Sequence, residues 1–148
     1  MIDPDVLLGQ LLAAMRENSE LVTLVGQKSN IMSYSPTYPA KVDMFTAVRD
    51  LNPPGVLVAW TGTDIAPRSN GISHLFSAYL APRGKVAPLF VALREGEVSG
   101  EKFKRYQLNQ FVHFVDVLGC FSRQLIIGEA LFEYFEVPMR ITERGVDS

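Results

Sequence analysis

The sequence predicts an α+β domain, with a mainly antiparallel β-sheet flanked by helices as a single layer of helices on a sheet. Three observations carry that expectation. The first 25 residues space their leucines at helical intervals, while the middle and the end of the chain alternate in the two-residue period of strands. Hydrophobic residues make up 47% of the 148 positions and charged residues 20%, enough apolar material for one packed interior. The whole chain, 1–148, therefore reads as one domain, with an exposed loop at about 96–105.

Asp3 and Pro4 read as the N-cap and first residue of a helix that carries Leu8, Leu11, Leu12 and Met15 on one stripe and exposes Gln10 and Glu17. Ser19 caps a second short turn bearing Leu21, Leu24 and Val25, which Gly26 ends. Residues 27–35 fit a short strand. The two prolines of "SPTYPAKVD" call for an irregular loop before Asp43 caps a helix through Leu51, and "PPG" at 53–55 stops it.

"GVLVAWTGT" places Val56, Val58 and Trp60 on one face and Leu57 and Ala59 on the other, the pattern of a central strand covered on both sides with Trp60 in the core. "PRSNG" supplies turn chemistry for a hairpin partner, "ISHLFSAYLA". Pro88 suits the start of a helix through about Arg94, and "EGEVSGEKFKR" follows as a charged, glycine-bearing loop. "YQLNQFVHFVDVLG" fits the helix and the strand period alike. The final "RQLIIGEALFEYFEVPMRITER" reads as a hairpin in which Pro138 requires an edge or a bulge.

A formal net charge of -2 offers no excess positive potential to hold a polyanion, which argues against nucleic acid as the primary ligand. One cysteine forms no internal disulfide, so the composition fits a reducing compartment. The start, "MIDPDVLLGQ", has aspartates where a signal peptide needs basic residues, and runs such as "GVLVAW" and "APLFVAL" fall far short of the roughly 20 residues that span a bilayer. Neither export by that route nor a membrane span is expected.

The stretch "HFVDVLGC" gathers His113, Asp116 and Cys120 within eight positions. On a helix the three share a face; on a strand His113 points away from the other two. Cys120, between Gly119 and Phe121, fits a small buried hydrophobe, and a buried setting is expected for His113 as well. His74, in mid-strand, reads as a half-buried histidine held by one hydrogen bond. There is no HExxH, no paired CxxC and no glycine-rich phosphate loop ahead of a helix, so no catalytic, metal or cofactor site is expected. Glu95, Glu97 and Glu101 read as parts of a solvated loop rather than an acid–base pair. Phe132, Tyr134 and Phe135 are either core or, in part, a subunit contact.

Taken in order, the apolar N-terminal helix, "PPGVLVAWTG", "PLFVALREGE" and "FEYFEVPMRITERG" resemble the small tail terminator and head-to-tail joining (neck) proteins of tailed bacteriophages. The resemblance is one of layout. It implies an antiparallel sheet flanked by helices and a structural virion protein, not an enzyme. Such a subunit forms a homo-oligomeric ring, commonly a hexamer, that is assembled in the host cytoplasm, caps the tail tube and meets the head connector. Its partners would be the tail tube protein and a head-completion or connector protein, and DNA would only pass through a neutral or acidic lumen. On that view Glu95, Glu97, Glu101, Lys102, Lys104 and Arg105 of the charged loop, with Phe132 and Tyr134 of the last strand, would be interface residues. The alternatives are a small intracellular enzyme, hydrolase-like and using Cys120 or a carboxylate pair, and a ligand-binding module.

Overall fold

The computed structural model describes residues 1–34, 43–51, 53–66, 71–96 and 106–145. Helix α1, Pro4–Arg16, starts where the Asp3 carboxylate accepts the Asp5 N–H at 2.9 Å. It buries Leu7, Leu8, Leu11 and Met15, so Leu7 takes the place of Leu12 in the predicted stripe, and Leu12 is only partly buried. Helix α2, Ser19–Val25, is capped by Asn18 rather than Ser19, and Gly26 ends it at φ 94°, a left-handed conformation that costs glycine little. Asn18 wins the cap because its side chain, fully buried, also bonds elsewhere in the fold.

Strand β1, Ile31–Tyr34, runs parallel to the first part of strand β2, Gly55–Ala66. Between them lies helix α3, Met44–Arg49, with Asp43 as its N-cap. Strand β3, Gly71–Ala81, pairs antiparallel with β2, and helix α4, Val86–Glu95, carries Pro88 in its first turn, where an absent N–H is no loss. The turn predicted at 67–70 lies outside the described residues.

The segment that fitted both periods is mostly neither helix nor strand. Residues 106–115 run irregularly, with one bridge between Val112 and Glu143, and only strand β4, Asp116–Val117, joins the sheet. Strands β5, Phe121–Ile127, and β6, Ala130–Thr142, form the predicted hairpin. Its two-residue turn opens on Gly128 at φ 64°, the backbone conformation such turns favour at that position.

The sheet runs β1-β2-β3-β6-β4, with β5 beside β6 below β4. β6 is therefore an interior strand, and Pro138 sits on neither an edge nor a bulge. Pro138 O accepts the Leu118 N–H at 2.9 Å, and the N and O of one strand residue point to the same side. The missing proline N–H thus faces the break between β4 and β5, where no ladder bond is lost.

Helices α1, α2 and α4 cover one face of the sheet over a cluster that includes Leu11, Leu21, Val56, Val58, Phe76, Leu80, Leu93, Val137 and Met139. On the other face the short α3 covers a smaller cluster of Val48, Leu51, Leu57, Ala59, Tyr79 and Tyr134. An α+β fold results, its sheet mostly antiparallel. Val56 to Ala59 are buried on both faces as expected, but Trp60 is 37% exposed. A shift of register between Trp60 and Gly62 turns the strand out of the core there, and the indole N–H donates to Gly62 O at 2.8 Å.

Candidate functional site

Of the residues expected at an interface, Glu97, Glu101, Lys102, Lys104 and Arg105 lie outside the described residues. Glu95 ends α4, exposed and ion-paired with Arg94. Tyr134 is buried against Tyr79, with ring centroids 5.9 Å apart, and Phe132 stacks on Tyr134 at 6.1 Å, partly buried. Both aromatics pack in the chain's own second core and offer little free surface. The large exposed apolar residues of the hairpin among the described residues are Phe121, Ile126 and Leu131.

His113, Asp116 and Cys120 do not form a nucleophilic site. His113 is exposed, not buried as expected, because its segment is held to the margin of the sheet by a backbone bond from the His113 N–H to Thr142 O. Asp116 lies 4.0 Å from Arg140. Among the described residues no hydrogen bond joins the Cys120 thiol to either of the others. Partial burial pushes the thiol pKa up, away from the reactive thiolate.

His74 is the better connected histidine, fully buried and held by two bonds instead of the one expected. Its Nε2 lies 2.6 Å from Glu143 Oε2 and its Nδ1 2.9 Å from Thr63 Oγ1. An ionised carboxylate only accepts, so Nε2 donates to Glu143 and, in the neutral ring, Nδ1 accepts from Thr63. Glu143 also accepts the Ile2 N–H at 2.9 Å. Burial raises the Glu143 pKa, but the Ile2 N–H, the His74 bond and charge, and the terminal ammonium together outweigh it and leave the pKa lowered. The order hydroxyl, imidazole, carboxylate is that of a catalytic triad, yet a fully buried imidazole has no route to a leaving group on a substrate. Its observed work is to tie the N-terminus, β2, β3 and the end of β6 together.

A second buried node joins the helices. Asn18 Nδ2 donates to Ala92 O and to Tyr106 Oη, both at 2.8 Å, while its Oδ1 accepts the Leu21 N–H at 3.2 Å. Desolvation pushes the Tyr106 pKa up to about 12. Nothing in the sequence marks Asn18 beyond its place before a short helix. Beside it, α2 and α4 border a shallow, mainly apolar groove of about 400 Å³ lined by Ser19, Thr23, Leu24, Pro88 and Val91.

What the fold leaves open is the β4–β5 margin. Phe111 is 61% exposed, and Phe114, Leu118 and Phe121 follow it along the same edge of the sheet. Farther on, Ile126 is 73% and Leu131 60% exposed at the hairpin tip. The charges on this margin are matched within the chain: Arg123 Nε donates to Glu136 at 3.0 Å, and Arg140 lies near Asp116. The margin is a row of exposed apolar groups among charges paired within the chain. Sequence periodicity missed it because the segment fits the helix and the strand period alike and so fixes no edge. Among the described residues no cluster of His, Cys, Asp and Glu is arranged to hold a metal ion, and no helix is long and apolar enough to cross a membrane. No protein-family model matches the chain, and no curated protein matches it.

Proposed function

We propose that this chain is a structural subunit of the tail terminator type, assembling as a ring of identical copies, commonly six, that caps a phage tail tube and joins it to the head connector. One observation carries the reading: the apolar margin from Phe111 to Ile126 is exposed on a chain whose two sheet faces already have their own cores. Large exposed apolar rows of this kind mark contact with other protein surfaces. The layout of helices on a mostly antiparallel sheet is compatible with the same reading, and so is a net charge of -2 for a subunit that lets DNA slide through its lumen. The test is light scattering of the purified protein across concentration. A fixed mass at a whole multiple of 16.5 kDa, six in the commonest case, supports a closed ring. A 16.5 kDa particle at every concentration rejects it.

A further inference from the structure

β2 outruns β1. β1 pairs only with Val56 to Ala59, so the edge of β2 from Trp60 to Ala66 has no strand beside it on that side among the described residues. At the opposite margin of the sheet, the run from His113 to Leu118 pairs with β6 on one side, and on its other side the only backbone bond among the described residues is the one Val115 N–H donates to Tyr106 O at 3.1 Å. The two open margins lie at the same height. His113 bonds to Thr142, Thr142 pairs with Ser73, and Ser73 pairs with Asp64. Three rows lower, Val117 pairs with Met139, Met139 with Phe76, and Phe76 with Trp60.

Their chemistry matches as well as their height. The β2 margin exposes Trp60, Ile65 and Asp64; the other margin exposes Phe114, Leu118 and His113. Among the described residues, neither the Asp64 carboxylate nor the His113 ring has a partner within the chain. The imidazole has an N–H to donate in either charge state, and the carboxylate accepts it. β4 and β2 point in opposite directions, since each of the intervening pairings is antiparallel. A rotation about an axis along the strands therefore sets one copy's β4 margin antiparallel to the next copy's β2 margin. A closed ring about such an axis has no translation along it, so only groups at equal height meet.

We infer that the ring contact is head-to-tail between these margins: Phe114 and Leu118 of one copy pack against Trp60 and Ile65 of the next, and His113 of the first meets Asp64 of the second. β1 stands beside the lower part of β2, so the neighbour enters the step that β1 leaves and meets the upper edge through side chains, not through a continuous ladder. Arg144, whose Nε donates to Val112 O at 3.2 Å, adds a positive group on the His113 side.

This inference rests on the ring reading, and disulfide trapping separates the two. In a Cys120→Ser background, the pair Asp64→Cys with His113→Cys is oxidised and run on a non-reducing gel. A head-to-tail contact gives a covalent ladder that extends to the full ring, while either cysteine alone gives no dimer. If the parent has a ring mass by light scattering and the pair gives no ladder, the interface lies elsewhere and the ring stands. Dimers from a single cysteine mean a two-fold contact and overturn the inference. A parent that stays monomeric overturns ring and interface together.

Discussion

Asn18 shows how much one side chain decides. It caps α2, bonds the last turn of α4 and holds the Tyr106 hydroxyl, all inside a fully buried site. The surroundings are tight: a Cβ on Gly96 would clash with both Ala92 O and the Asn18 amide, so glycine at 96 lets the α4 end approach the cap closely. Asn18→Ala removes the cap, takes one of two donors from Ala92 O, which keeps the Gly96 N–H, and leaves the buried Tyr106 hydroxyl without its partner. A lost cap and an orphaned buried hydroxyl together predict a destabilisation of about 2–4 kcal/mol, read as a lower urea midpoint. Asn18→Asp keeps the Leu21 bond but brings a carboxylate oxygen to Ala92 O, so it should rescue little. Full rescue by aspartate would show that only the cap matters. In the sequence, Asn18 was invisible as a node because its partners stand 74 and 88 positions away. Trp60 misled in the opposite sense: alternation placed it in the core, and a one-residue irregularity, which alternation does not reveal, turned the strand outward.

The elements were most legible where a local signal and a period agreed. Asp3 with Pro4, Asp43, and the Gly128 turn each fix a boundary by their own chemistry, and the structure starts or turns an element at each. Residues 106–121 fit neither period uniquely, because the chain there follows the margin of β6 with a single two-residue strand. The candidate surface was illegible for the same reason, and the notable histidine changed from His113 to His74. How firmly His74 and Glu143 tie the elements is measurable. The lowered Glu143 pKa means that the folded state favours the carboxylate, so this stabilisation is present above the ordinary glutamate range and is lost as pH falls through the lowered value. Glu143→Gln should cost about 1.5–3 kcal/mol near neutrality, the scale of a hydrogen bond to a charged group. The gap between the variant and the parent in denaturant titrations should narrow below about pH 4, where carboxylates take up protons. A gap that is constant across pH would mean that the charge of Glu143 contributes nothing.

At the scale of the molecule, the two apolar regions of the β4–β5 side are separated along the strands, which assigns them different work in a ring. The last β3–β6 pair is Leu80 with Phe135, so residues 130–134 of β6 pair only with β5, and the hairpin projects beyond the end of the sheet. Ile126 and Leu131 are cross-strand partners near its tip, and both are among the most exposed large apolar residues described. If copies meet margin to margin around an axis along the strands, the tips point along that axis, toward whatever stacks on the ring. Reversing their polarity with Ile126→Lys and Leu131→Lys should then leave the fold intact, within about 0.5 kcal/mol of the parent, as surface changes usually do. The ring mass by light scattering should also stay unchanged, while co-sedimentation of the ring with a tail tube should be lost. A variant that falls apart into monomers would place the hairpin in the contact between copies. One that keeps both its mass and its hold on the tube would leave Ile126 and Leu131 without a part in assembly.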